Sequence, residues 1–255
     1  MPYLDTCLIK KSLNDDAIKV FSYDETGSTN EEAKEKIKDG LTEEALFVAD
    51  SQTMGKGRRG RSFYSPPHTG IYMSYVPVTD DPLLMTVCAA AAAALAIDEL
   101  THAGTMIKWV NDIYLDMKKV SGILCESTGD PRRYVIGIGI NLFTRDFPDD
   151  ISSLAGSVLK KDEGKIKREE LIGLVIKKLR YFLLHRDEAL NVYREKSLIT
   201  GKTVRFIVKD REETGLVREI DRDGGLVIEK DDKSLVRLST GEAEIVKDSI
   251  LKKGC

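Results

Sequence analysis

Residues 52–67 read QTMGKGRRGRSFYSPP and gather four cations, Lys56, Arg58, Arg59 and Arg61, with three glycines, Gly55, Gly57 and Gly60. Arginine forks and the N–H groups of a glycine-rich turn can hold a carboxylate or a phosphate. Three glycines in six residues also cost backbone entropy, which suits a chain that wraps a ligand closely better than one that is merely solvated. The stretch fits G-x-G-x-x-G behind a strand-like run, with Asp80 and Asp81 about 20 residues on, where a ribose-binding acid would stand in a dinucleotide site. That loop must open a helix, and Ser65-Pro66-Pro67 stops one, so a nicotinamide-dependent dehydrogenase is the weaker reading. No G-x-x-x-x-G-K-S/T loop occurs, which removes P-loop chemistry. Taken alone, the basic run fits a solvated loop as well as a wrapped anion.

A chain of 255 residues with a net charge of -3 and 42% apolar residues has the composition of an ordinary globular protein, not a polyanion binder. Such a length buries roughly 70 to 75% of the unfolded surface and accommodates one large domain and a small one. Cys7, Cys88, Cys125 and Cys255 form no C-x-x-C pair and no secretory leader opens the chain, so a reducing cytoplasm is the simplest home. The alanine-rich run at residues 87–100 is too short to span a bilayer and is expected to be a buried helix.

The elements that must carry the cationic loop follow from pattern. A strand is expected at residues 18–23, and a helix from about Asn30 to Lys38 stops at Gly40. Ser28 and Thr29 stand three residues before Glu31 and Glu32, the spacing of a capping box. ALFVAD at residues 45–50 reads as a second strand and GIYMSYVPV at residues 70–78 as a third. MIKWVNDIYLD and KKVSGILCES read as a strand pair with a tight turn near Met117, and YVIGIGINL continues the sheet. Residues 168–197 carry apolar positions at helical spacing. From Thr203, alternating strands with turns expected at Thr214-Gly215, Asp223-Gly224-Gly225 and Thr240-Gly241 have the pattern of a small barrel. A domain boundary is placed accordingly, giving residues 1–197 and 198–255.

GSTN at residues 27–30, the GKGRRGRSFYSP loop, KWVND at residues 108–112, KKVSGILCE at residues 118–126 and IGIGINL at residues 136–142 occur in that order. In this the chain resembles the biotin protein ligases (biotin–[acetyl-CoA-carboxylase] ligases) over essentially its whole length. The resemblance implies an α+β fold, a mixed sheet with helices on one face, followed by a small SH3-like β-barrel. It implies activation of biotin by ATP to biotinyl-5′-AMP, then transfer to one lysine of a biotin carboxyl carrier domain.

Residue by residue, the resemblance assigns the ureido ring to Ser28, Thr29 and Gln52, whose hydroxyl and amide groups can serve both its N–H and C=O groups. Ser28 and Thr29 also fit ordinary helix caps. Gly55 and Lys56 belong to the biotin-binding loop, Lys56 mainly through its backbone. Phe63, where the family often has tryptophan, forms an apolar wall, and Gly122 lets a strand backbone pass close to the ring. Arg58 and Arg61 match arginines that bind carboxylate and phosphate oxygens, while Arg59 fits a structural pairing. Lys119 matches the lysine at the junction of carboxylate and α-phosphate, and Lys118 beside it fits an exposed hairpin lysine. Asn141 matches an adenine reader, Asp112 the group that orients the acceptor amine, and Asn111 and Lys108 their support. Val110 replaces the usual proline, and a stiff β-branched residue keeps the backbone extended. Mg²⁺ is expected on the phosphates, with no protein metal cage. The segment before Ile18 is too short for the winged helix-turn-helix that some relatives carry, so DNA binding is not expected. Exposed strand edges leave a homodimer open. The rival readings are a lipoate or octanoate ligase and a biotin-binding sensor without catalysis.

Overall fold

The computed structural model describes residues 4–79, 81–162, 164–208 and 211–246; Asp80 and Cys255 lie outside them. A short helix, α1 (Thr6–Leu13), precedes β1 (Lys19–Thr26), α2 (Thr29–Lys38) and β2 (Ala45–Gln52). Asp5 caps α1 by accepting from the Cys7 and Leu8 amides, and Ile9 and Leu13 are buried as it packs on α5 (Arg168–Leu184). The first residues are thus a docked helix, not a module of their own. Then come β3 (Gly70–Val76), α3 (Met85–Thr101), β4 (Met106–Lys108), β5 (Asp112–Leu115), β6 (Lys118–Ser127) and β7 (Tyr134–Asn141). These seven strands form one sheet in the order β1-β2-β3-β7-β6-β5-β4; β1 and β2 are parallel and every other pair is antiparallel.

β2 is buried on both faces, which explains its unbroken apolar reading. Leu46 and Val48 join the main core, whereas Ala45 and Phe47 meet Ala33 of α2 on the opposite face. The alanines of α3 let that helix lie close against β5, β6 and β7, while α5 packs beside it and reaches β3. In α5 the buried Leu171, Ile172, Val175, Ile176 and Leu179 repeat at helical spacing. The chain bends at His185 into α6 (Arg186–Glu195), after a one-turn α4 (Asp149–Ser152) earlier in the chain. Among the described residues the long helices cover one face, and α2 sits on the other against β2, β3 and β7, leaving the rest of that face open.

The β5–β6 turn is a two-residue loop, Asp116-Met117, with φ of 49° and 61°, the mirror-type hairpin turn expected near Met117. The C-terminal sheet holds β8 (Thr203–Val208), β9 (Arg211–Ile220), β10 (Leu226–Glu229), β11 (Leu235–Leu238) and β12 (Ala243–Ile245), antiparallel in the order β11-β10-β9-β8-β12. Turns fall at residues 221–225 and 239–242 as the sequence implied. The third expected turn, Thr214-Gly215, is instead inside β9. Gly215 serves close approach there: a Cβ would lie 2.6 Å from the Ile228 side chain and 2.7 Å from the Glu229 carbonyl oxygen. The two sheets share one continuous core, and buried Trp109 donates from Nε1 to the Gly224 carbonyl across the seam at 2.9 Å.

Candidate active site

The open face of the large sheet holds a pocket lined by Ser28, Thr29, Asn30, Gln52, Lys56, Gly57, Arg58, Phe63, Met73, Asn111, Lys119, Gly122–Leu124 and Gly137–Gly139. Its floor is bare backbone because Gly122 and Gly139 are paired across β6 and β7. A Cβ on Gly139 would come within 2.5 Å of the Phe63 ring, and one on Gly122 within 3.2 Å of Lys119 Cε. The two glycines therefore make room for the aromatic wall and for the lysine stem.

One end of the pocket is neutral and already paired. Gln52 Oε1 accepts from the Thr29 amide at 2.8 Å and from Thr29 Oγ1 at 3.1 Å, and Gln52 Nε2 donates to Ser65 Oγ at 3.0 Å. Ser74 Oγ, fully buried, lies 2.7 Å from Thr29 Oγ1 and 2.5 Å from Asn30 Oδ1. Ser28 holds the N-cap position of α2 with extended φ of -162°, yet its hydroxyl makes no capping bond. The capping-box spacing does not form a capping box. Glu32 accepts from Thr26 Oγ1 at 2.5 Å, and Glu31 turns to Lys34 and Lys56. The Thr26 hydroxyl at the end of β1, and Lys34 and Lys56, hold these acids in place of the helix's own amides.

The other end is cationic. Lys119 Nζ stands 2.6 Å from Asp112 Oδ1, an ion contact rather than an aligned hydrogen bond, so that buried oxygen accepts none. Asn111 donates to the Ile123 carbonyl at 2.8 Å and accepts from Arg58 Nη1 at 3.3 Å. The glycine-rich loop crosses above as a narrow ribbon: Phe63 N bonds Gly55 O, Gly57 N bonds Arg61 O, and Lys56 bridges Ser62. Its tip turns at Arg59 and Gly60, with φ of 56° and 74°, and opens no long helix, only the single turn Arg58–Gly60. This is why the dinucleotide fingerprint has no counterpart in the fold.

The ribbon is held at its far side by the C-terminal sheet. Arg58 donates to Thr240 Oγ1 at 2.9 Å and to the Gly241 carbonyl at 3.3 Å, and Arg61 pairs with Glu242 at 2.9 Å. Arg59 lies 4.0 Å from the same carboxylate. Lys118 spends its ammonium on the carbonyls of Ser152 and Ser153. Lys108 stacks over Tyr114 at 5.6 Å. Burial, with Asp112 and Glu244 nearby, pushes the Tyr114 hydroxyl up to about 12. The peptide bond between Trp109 and Val110 is cis, and the Val110 carbonyl accepts from the Tyr193 hydroxyl at 2.9 Å.

Of the residues singled out from the sequence, Ser28, Thr29, Gln52, Lys56, Arg58, Phe63, Asn111, Lys119 and Gly122 line this one pocket. Asp112 reaches it through Lys119, and Gly55 lies at the base of the ribbon, where a Cβ would strike the Phe63 carbonyl oxygen and, at 2.8 Å, Ser65 Oγ. Arg61 points to Glu242 instead. Asn141 lies beyond the pocket, its amide donating to Gly156 O at 3.1 Å and its buried Oδ1 unpartnered. Asn30, Ser65, Ser74 and the turn at residues 240–242 were not singled out. A serine within the apolar run IYMSYV was a signal for Ser74; for the turn there was none, since its partners lie more than 180 residues away. Among the described residues no group of three or more His, Cys, Asp or Glu could hold a metal, and no helix is long and apolar enough to cross a membrane.

The whole arrangement, large sheet and C-terminal module, superposes on a biotin protein ligase from Aquifex aeolicus in complex with biotin and ATP. The TM-score is 0.76 at 26% identity, over 89% of this chain and 98% of that one. Residues 24–141 match the biotin/lipoate A/B protein ligase family, and residues 199–246 match the biotin protein ligase C-terminal domain. The chain is 33% identical over 221 residues to the bifunctional ligase/repressor BirA of Bacillus subtilis, covering 81% of this chain and 68% of that protein. It is 27% identical to the biotin–[acetyl-CoA-carboxylase] ligase of Mycobacterium tuberculosis, over 86% and 85% of the two chains. The chain thus belongs to the biotin/lipoate A/B protein ligase family, on its biotin protein ligase branch, and is a ligase.

Proposed function

We propose that the chain joins biotin to ATP as biotinyl-5′-AMP and then passes biotin to a lysine of a biotin carboxyl carrier domain. The observation that carries this is the polarity of the pocket: neutral hydroxyl and amide groups at one end, Lys119 and Arg58 at the other. A ureido ring needs the first and a carboxylate meeting a triphosphate needs the second. A lipoyl or octanoyl chain would gain little from Thr29, Gln52 and Ser74. A sensor that only bound the ring would gain nothing from Lys119.

In the first step a biotin carboxylate oxygen attacks the α-phosphorus and pyrophosphate leaves. Lys119, and Arg58 and Arg61 once released from the C-terminal turn, offset the negative charge that otherwise keeps the two substrates apart. Asn141, with its unpartnered Oδ1, is the group proposed to meet adenine. A magnesium ion would accompany the triphosphate and help offset its charge, held by phosphate oxygens and water. In the second step a neutral lysine amine attacks the acyl carbon, AMP leaves, and the amine's surplus proton passes to Asp112 or to water. Asp112 Oδ1, now 2.6 Å from the Lys119 ammonium, would exchange that partner for the incoming amine and so orient it.

The test is biotin-dependent exchange of labelled pyrophosphate into ATP, with lipoate in parallel. Exchange with biotin alone is the expected result. Exchange with lipoate alone would transfer the assignment to the other branch of the family, and exchange with neither would remove the activation step.

A further inference from the structure

Glu31 stands in the first turn of α2, where the helix dipole favours an acid, but its carboxylate turns outward to the glycine-rich ribbon. Its Oε1 lies 2.8 Å from Lys56 Nζ and 2.9 Å from Lys34 Nζ. Lys34 in turn contacts Glu126 Oε1 at 2.7 Å, and Glu126 Oε2 accepts from Asn30 Nδ2 at 2.7 Å. Asn30 Oδ1 closes the chain at Ser74, beneath the pocket. Four side chains therefore link the neutral floor of the pocket to the ribbon that forms its roof. The hydrogen bonds from Lys56 and then Lys34 hold the Glu31 carboxyl below its ordinary range.

We propose that Glu31, braced by Lys34 and Glu126, is a positioning residue that latches the ribbon over the pocket through Lys56, and so slows escape of the activated intermediate. This rests on the function proposed above. The brace matters because an isolated exposed pair contributes little. Lys34 and Glu126 are 21% and 25% exposed, against 44% for both Glu31 and Lys56, so the outer pair is anchored to a shielded inner one. Lys56 is the ribbon cation turned toward α2, while Arg58 and Arg61 are turned to the C-terminal sheet. The ribbon thus has two independent holds, and the α2 side can be released without touching the other.

The experiment loads the full-length protein with biotinyl-5′-AMP and follows its release after rapid dilution, at about 20 mM and at about 0.5 M salt, which differ widely in screening length. Glu31→Gln is expected to speed release about two- to fivefold at low salt, the range open to a partly exposed ion pair. Lys56→Gln should do the same, the double variant no more than either, and Lys56→Arg should restore slow release. All rates should converge at high salt. Thermal unfolding of Glu31→Gln should match the parent, separating a latch from a structural role. Release by Glu31→Gln at the parental rate in low salt, or additive effects of the two substitutions, would overturn the latch while leaving the activation chemistry intact. Failure of the parent itself to retain biotinyl-5′-AMP would overturn both.

Discussion

The pocket floor and the ribbon above it are built on opposite principles. At the floor Thr29, Asn30, Ser65 and Ser74 are buried and Gln52 is partly so, and they pair with one another through neutral hydrogen bonds. The ribbon is held by partly exposed ions, Lys56 to Glu31 on one side and Arg61 to Glu242 on the other. Buried neutral networks are insensitive to salt and costly to break, whereas exposed ion pairs are cheap to exchange and screened. A ligand ring meets a surface already arranged for it, while a ligand anion meets cations whose present partners it must replace.

Three experiments set the floor against the ribbon. The largest effect is expected from Lys119→Ala, at the cationic end. Pyrophosphate exchange should fall by about two to three orders of magnitude, as when a charge-stabilising group is lost. Biotin affinity, measured by calorimetry, should stay near the parental value, and comparable losses in both would put Lys119 in ring binding instead. Thr29→Val at the neutral end removes a donor to Gln52 and the acceptor for Ser74. It should weaken biotin binding by about 1–3 kcal/mol, the cost of leaving buried polar groups unpaired, equally at low and high salt. A loss that shrank on adding salt would erase the contrast between the two regions. The smallest effect concerns pH. Because the Glu31 carboxyl sits below its ordinary 4.5 through Lys56 and Lys34, its attraction is complete above that value and is lost as pH falls through the lowered one. The salt-sensitive part of intermediate release should therefore be flat from about pH 8 to about pH 5. A decline starting near neutrality would mean another group closes the ribbon.

The contrast also explains what was legible in the chain. Local devices could be read: the two-residue Asp116-Met117 turn, the buried alanine helix, the cationic loop stopped by Pro66-Pro67, and the lining residues from Ser28 to Gly122 that the resemblance supplied. Devices depending on who faces whom could not. Glu31 looks like a capping acid until Lys56 is placed beside it. Gly215 looks like a turn until β10 is seen pressing on it. Helices on the far face could be anticipated, but α2 on the near face, which brings Thr29 and Asn30 to the pocket, follows from Ala33 meeting Phe47 through the sheet's second, smaller core.

Arg58 and Arg61 lean on Thr240, Gly241 and Glu242, residues more than 180 positions further along the chain. A later part of the chain therefore sets the resting posture of a loop made before it. A chimaera carrying a relative's terminal module would inherit that relative's grip on these arginines, and with it a different threshold for nucleotide entry, even if every pocket-lining residue were left untouched.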